Sequence, residues 1–256
     1  YLHLPTLFEY LKTKKVPVVW TLHDCWAFTG HCAYYDFAGC EKWKEQCHNC
    51  KHKGEYPSSL LLDRSKQNFY KKSATFNSLD KLHFVAISNW IAQQKESSFL
   101  RSKPFTIIRN GVDLNNFRPT KNKFKEKYSI EDKKVFLGVA SFWDCRKGFD
   151  TFIRLSQMIN KDEALVMVGL NKEQLKSLPE NIIGIGRTNN VQELAEIYSA
   201  ADVFINPTRE DNYPTVNLES KACGTPVITF KTGGSPEMLD ESCGSFVDCD
   251  DVVSND

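Results

Sequence analysis

An α/β fold of two domains, each built on a parallel sheet, is what this sequence of 256 residues predicts. Three observations carry that. From residue 134 onward, short apolar runs alternate with helix-length segments, the pattern of strands buried on both faces and joined by crossover helices. A sparser set of the same signals precedes residue 118. The length suits two domains of ordinary size, and hydrophobic residues at 41% suffice for their cores.

The chain opens in the last turns of a helix over 4–13, and a strand follows at 16–22. A helix near 60–76 and strands at 82–87 ("LHFVAI") and 105–108 complete a first domain, residues 1–117. "NGVDLNNFRPTKNKFKEKY" joins the halves, and its Pro119 followed by charged residues places a linker near 118. In the second domain, 118–256, "KVFLGVAS" is an apolar strand; "KGFDTFIRLSQMI" is a helix with Phe149, Phe152, Ile153 and Leu155 on one face. "ALVMVG", "NIIGIG", "DVFINP" and "TPVITF" repeat the strand signal, with helices in "KEQLKSL", "VQELAEIYSAA" and "TVNLESKAC" between them. The end, "GSFVDCDDVVSND", reads as a strand and an unfinished acidic segment. Both ends look cut within a fold, as in a fragment of a longer protein.

Lys and Arg number 33 against 32 Asp and Glu, so no bulk field recruits nucleic acid or an acidic lipid surface. No nucleic-acid partner is expected. No stretch approaches the roughly 18 apolar residues of a membrane span.

Ligands of parallel α/β sheets gather outside the carboxyl ends of the strands, and chemistry-bearing residues cluster there. Arg146-Lys147-Gly148 stands between a strand and a helix, two cations beside free amides, which suits a diphosphate. In "PTREDNYPTVNLESKACGTPV", Glu210 and Asp211 follow a strand, Thr215 is placed to cap the next helix, and Glu219 lies one turn into it, in reach of ribose hydroxyls. Capping alone also explains such carboxylates, and solvated surface explains such cations. His23 and Asp24 directly follow "VPVVWTL"; a histidine there can bond a substrate hydroxyl or act as acid or base, or be structural. Asn110-Gly111 reads first as a turn. The sequence has neither a GKS phosphate loop nor a GxGxxG; "GIGRTN" is one glycine short.

Nine cysteines are many for this size, and five lie in the insertion at 25–50, "CWAFTGHCAYYDFAGCEKWKEQCHNC". Cys47 and Cys50 form a C-x2-C knuckle preceded by Cys40 and Cys32, a set that suits one tetrahedral structural zinc, with His31 and His48 as substitute ligands. A disulfide pair and buried unpaired thiols are the alternatives. Trp20, Trp26, Phe28, Tyr34, Tyr35, Phe37 and Trp43 crowd this region. Their faces suit sugar rings or, equally, a small metal-stapled core.

Taken in order, "VVWTLHD", "FVAISNWI", "IIRNGVDLNNFRP", "RKGFDTFI", "IYSAADVFINPTREDNYPTVNLESKACGTPVI" and "TGGSPEML" resemble the retaining nucleotide-sugar glycosyltransferases of family 4, and "HDCWAFTGHC" looks like the branch that builds bacterial capsular or colanic-acid-like polysaccharides. The resemblance implies the GT-B fold: two Rossmann-like domains whose sheets face a cleft, the first incomplete here. It implies a nucleoside-diphosphate-sugar donor and a glycan or lipid-linked saccharide acceptor. The enzyme would be cytoplasmic, with peripheral association at the inner membrane face as an option. Lys147, helped by Arg146, would contact the diphosphate, and Glu219 the ribose. Asp211 stands where the family has its first glutamate, near the sugar. Asn212, Tyr213 and Thr215 would line the sugar-diphosphate, and Gly186, Arg187 and Val191 the base. His23 would act from the first domain, and Asn110 and Gly111 match the approach to the hinge. His23, Lys147 and Asp211 are thus the expected catalytic set.

Three departures stand out. Asp211 is shorter than glutamate, which leaves Glu210 as a substitute; Pro214 removes an amide from the turn; and Ser141-Phe142 occupies the place of a customary Gly-Arg. No Asp-x-Asp pair is in the expected place, so no catalytic metal is expected. Alternatives are a GT-B epimerase or phosphorylase, or a non-catalytic nucleotide-sugar-binding subunit.

Overall fold

The apolar runs become strands, and every described strand pairing is parallel. The structure is a computed structural model describing residues 3–54, 56–59 and 62–249. It divides into two units, Tyr1–Arg109 and Asn110–Asp256.

In the first unit α1 (Leu4–Lys14) leads to β1 (Val18–Leu22), and α2 (Ser65–Asn77), β2 (Leu82–Ala86), α3 (Asn89–Glu96) and β3 (Phe105–Ile107) follow. The sheet order is β1-β2-β3. Phe76 joins the helical layer to the sheet: its ring lies 5.1 Å from Phe8, 4.9 Å from Trp20 and 5.9 Å from Phe84. β1 begins at Val18 rather than 16, consistent with Pro17 having no amide to offer the ladder. The helix near 60–76 begins at Ser65; residues 60 and 61 lie outside the described residues. α3 has no counterpart in the sequence reading. Ser88 caps it, its hydroxyl accepting from Ile91 N at 3.1 Å.

Between β1 and α2 the described residues form no α-helix or strand, only short 3-10 turns at Trp26–Phe28 and Lys42–Lys44. They bury an aromatic core nonetheless. Trp43 lies 5.4 Å from Phe28 and 4.6 Å from Tyr35, ring to ring, and all three are buried.

The second unit runs α4 (Phe124–Lys127), β4 (Lys134–Val139), α5 (Phe149–Ser156), β5 (Glu163–Val168), α6 (Lys172–Ser177), β6 (Ile182–Ile185), α7 (Val191–Ala200), β7 (Val203–Asn206), α8 (Thr215–Ala222), β8 (Val227–Phe230) and β9 (Gly244–Val247). The sheet order β6-β5-β4-β7-β8-β9 reverses direction between β4 and β7. Strand alternation feeds two cores. Val135, Leu137, Val166 and Val168 face one with Tyr198, Phe204 and Val227. Leu165 and Met167 face the other with Trp143 and Phe152, and there Phe149, Ile153 and Leu155 join as their spacing predicts.

The division between units falls after Arg109, earlier than the linker expected near 118. Phe117 is buried in the second unit's core, 6.2 Å from the Tyr198 ring, and Val112 packs there too. Residues 110–117 are therefore part of that unit. Among the described residues no helix is long and apolar enough to cross a membrane.

Candidate functional site

The strand order reverses between β4 and β7, the switch point outside whose carboxyl strand ends parallel α/β sheets take ligands. The loop leaving β4 is shaped by Asp144. Its carboxylate accepts from Lys147 N at 2.7 Å and its carbonyl accepts from Phe149 N at 3.0 Å, so Arg146 and Lys147 form a tight turn onto α5. Gly148 completes that turn with φ 78°, and a Cβ there would collide with the carbonyl oxygen of Pro207. Only glycine allows the two loops to approach so closely.

Arg209 locks them together. Its backbone N–H donates to Arg146 O at 2.8 Å, and its guanidinium donates to both oxygens of Asp150 at 2.8 Å each and to Cys145 O. The Arg209 side chain is 1% exposed. Burial alone would raise the Asp150 carboxyl, but Arg209's hydrogen bonds and charge hold it below the usual carboxylate range.

On this frame Lys147 Nζ donates to Asp211 Oδ2 at 2.6 Å. Arg146 Nη1 donates to Glu210 O at 3.2 Å. Asp211 Oδ1 accepts from Tyr213 N at 3.2 Å, and its carbonyl accepts from Gly234 N at 3.3 Å. Gly233, at φ 51°, lies against that carbonyl, where a Cβ would collide. Glu210, Asn212 and Tyr213 are buried; Asp211 is the partly exposed carboxylate of the turn.

The turn runs into α8. Pro214 occupies the cap position with no side-chain cap bond, so Thr215 is the first helical residue and not the cap expected of it. Its hydroxyl bonds Glu219 instead. The Tyr198 hydroxyl donates to Glu219 Oε2 at 3.0 Å from α7. Burial raises the Glu219 pKa, and the bonds from Tyr198 and Thr215 work the other way. Arginine and lysine, a paired carboxylate and, on the adjoining helix, a half-buried, oriented carboxylate thus stand at one strand end. That set can hold a diphosphate and hydrogen-bond hydroxyls.

In the first unit His23 is exposed just past β1, in a cavity of ≈ 440 Å³ lined among others by Trp20, Asp24, Trp26 and Tyr56. Asp24 Oδ1 accepts from Trp26 N at 2.8 Å. Beneath this turn lies Lys72 of α2, 5% exposed, donating to Trp26 O at 2.6 Å and Thr29 O at 3.1 Å, 3.6 Å from the Trp26 ring centroid. Burial lowers its pKa to about 7, opposed by Cys32, Asp24 and Cys47. Burial, then neighbouring Cys47, Cys50 and Cys40, push the Cys32 thiol up to about 12. Among the described residues, no three His, Cys, Asp or Glu side chains are spaced to hold a metal ion.

Residues 133–254 match the family described as glycosyl transferases group 1. That stretch lies wholly within the second unit. Similar proteins include an Escherichia coli protein named "Putative colanic acid biosynthesis glycosyl transferase WcaC", 27% identical over 266 residues, 96% of this chain and 60% of the relative. Another is the GDP-mannose-dependent alpha-(1-6)-phosphatidylinositol monomannoside mannosyltransferase of Mycolicibacterium smegmatis, 30% identical over 69% of this chain and 51% of the relative. The chain therefore spans about half to three-fifths of the length of these relatives. Among solved structures, Anabaena Alr3699/HepE in complex with UDP superposes with a TM-score of 0.67 at 16% identity, covering 96% of this chain and 62% of that one. The lipopolysaccharide-biosynthesis glycosyltransferase WaaG does so at 0.63 and 19%, covering 94% and 67%. Both show the GT-B fold.

Arg146, Lys147, Glu210, Asp211, Asn212 and Tyr213 come together at the β4/β7 switch point, with Thr215 and Glu219 on the helix leaving it. Gly186 and Arg187 follow β6, the far edge strand, and Val191 opens α7 and is exposed. Asn110 begins the second unit; Gly111 has open space around it and an ordinary φ, so nothing local demands glycine there. The sequence reading missed Arg209, Asp150, Tyr198 and Lys72. Their partners lie 21 to 59 residues away in the chain, and no short motif marks such pairs.

Proposed function

We propose that this chain carries the donor site of a retaining glycosyltransferase, which moves a sugar from a nucleoside diphosphate to a glycan or lipid-linked saccharide in cell-surface polysaccharide synthesis. The observation that carries the reading is the Lys147–Asp211 pair at the β4/β7 switch point, with Glu219 on the adjoining helix. Lys147 and Arg146 neutralise the diphosphate as charge builds on the leaving group. Glu219, oriented by Tyr198, accepts from ribose hydroxyls. Asp211 accepts from a donor-sugar hydroxyl and is exchanged for phosphate at Lys147 as the donor enters. Asn212, Tyr213 and Thr215 shape the sugar-diphosphate site, and Gly186, Arg187 and Val191 take the base.

His23 serves turnover rather than diphosphate binding, since it belongs to the first unit and the diphosphate groups all belong to the second. Cations of the protein replace a catalytic metal on the diphosphate, and the leaving phosphate serves as base when the acceptor attacks on the face of departure. The relatives' names, one GDP-mannose-dependent, and structures titled with UDP and UDP-glucose support a nucleotide-sugar donor. The site of action is the cytoplasmic face of the membrane, where a lipid-linked acceptor is presented. A screen of nucleoside-diphosphate sugars with the intact protein tests the reading. Acceptor-dependent release of nucleoside diphosphate with an α-configured product from an α-configured donor is expected; interconversion of donor without transfer contradicts it.

A further inference from the structure

We infer that the first unit takes the acceptor as a saccharide bearing a phosphate, the sugar ring in one cavity and the phosphoryl group in a second, with Trp26 between them. The larger cavity, ≈ 440 Å³, is lined among others by Trp20, His23, Asp24, Trp26 and Tyr56. The smaller, ≈ 210 Å³, is lined among others by His3, His31, Asn68, Lys71 and Lys72. Trp26 and Pro57 belong to both linings, so the two cavities adjoin.

Their chemistry differs. The larger sets aromatic side chains beside His23 and Asp24, the mixture of apolar surface and a few hydrogen-bonding groups that suits a sugar ring. The smaller has two lysines, two histidines and an amide in its lining and, among the described residues, no carboxylate. Lys71 is exposed and Lys72 is buried, so the basic groups run from rim to interior. Lys71 Nζ and His3 Nε2 stand 3.5 Å apart, and two basic nitrogens held so close favour an anion beside them. A phosphoryl group there gains charge-assisted hydrogen bonds.

The wall between the cavities is fixed before a ligand arrives, which limits the ordering cost of binding. Lys72 donates to Trp26 O at 2.6 Å and Thr29 O at 3.1 Å, and its ammonium lies 3.6 Å from the indole centroid. Asp24 Oδ1 accepts from Trp26 N at 2.8 Å, holding the same residue from the larger cavity. Gly30 lets the loop lie against the start of α2, where a Cβ would collide with Ser65 O, and His31 beside it donates from Nε2 to Lys53 O at 3.1 Å. The ligand class is a glycosyl phosphate, free or at the head of a lipid. Its role as acceptor rests on the proposed transfer; its binding does not.

Calorimetric titration of the intact protein without nucleotide tests this, with glucose, galactose and mannose, each free and as the 1-phosphate, and with the same glycosyl phosphates on a polyprenol in detergent micelles. At least one 1-phosphate should bind about tenfold or more tighter than its free sugar. Equal affinity of the polyprenyl form assigns the cavities to the headgroup alone, and higher affinity to a lipid-borne acceptor. Lys71→Ala, at an exposed position, should weaken the 1-phosphate about five- to tenfold and leave the free sugar and nucleoside diphosphate unchanged. Trp26→Leu should weaken sugar and 1-phosphate alike; if it does not fold, Lys71→Ala decides alone. Absence of nucleoside-diphosphate binding in the unaltered protein would strike the transfer and leave these cavities standing. No saturable binding of any 1-phosphate, affinity equal to that of the free sugar, or an affinity indifferent to Lys71→Ala overturns the inference.

Discussion

Lys147 Nζ and Asp211 Oδ2 are 2.6 Å apart, although 64 residues separate them in the chain. The pair forms because the strand order sets β4 beside β7 and brings their exit loops to one end of the sheet. A diphosphate entering there competes with Asp211 for the same ammonium. Asp211→Asn keeps the shape and removes the competitor. Nucleoside-diphosphate affinity should hold or rise by about two- to five-fold, within the ~1 kcal/mol of a partly exposed ion pair, while transfer slows. A titration in which affinity falls instead contradicts the competition.

Glu219 is assigned to ribose, and its effect should depend on ribose. Glu219→Ala should weaken uridine or guanosine diphosphate and leave inorganic pyrophosphate unchanged. Tyr198→Phe removes the hydroxyl 3.0 Å from Glu219 and leaves a half-buried carboxylate short of one donor, at a stability cost of about 1 kcal/mol by denaturant unfolding. Equal losses for nucleotide and pyrophosphate would place Glu219 on phosphate.

Strands β4, β5 and β7 were legible because each is an apolar run that feeds both cores, and the motif residues Lys147, Asp211 and Glu219 stand where strand ends place them. The insertion was opaque for the opposite reason: no periodicity marks a segment without helix or strand. The locking pair Arg209–Asp150 was invisible because it depends on strand order, which a lone sequence states only after folding. Thr215 shows the limit of local rules. A threonine after a proline at a helix start reads as a cap, yet Pro214 takes that position and Thr215 turns to Glu219.

That locking pair gives a pH dependence. Arg209 holds Asp150 below its usual value of about 3.9 despite burial. Its contribution to stability is present above about pH 4 and is lost as pH falls through the lower folded value. Asp150→Asn should lower the unfolding midpoint at neutral pH and flatten its decline below about pH 4. A variant whose acid limb superposes on that of the unaltered protein would show that the pair makes no net contribution.

Gly148 offers a backbone test. At φ 78°, with Pro207's carbonyl in the way, Gly148→Ala must strain the turn or push the loops apart. A left-handed alanine alone costs roughly 1–2 kcal/mol. Thermal unfolding should register that loss, and nucleoside-diphosphate affinity should fall with it. Gly111→Ala, at an open position with ordinary φ, should leave both unchanged.

The central claim is that Lys147 at the β4/β7 switch point holds the donor diphosphate. Calorimetric titration of uridine and guanosine diphosphate into the intact protein and its Lys147→Ala variant tests it most directly. The account predicts saturable binding of at least one nucleotide and a fall of about 10–100-fold in the variant, equal to one charged hydrogen bond of ~1.5–3 kcal/mol, with an unchanged unfolding midpoint. Unchanged affinity in a folded Lys147→Ala protein would contradict it.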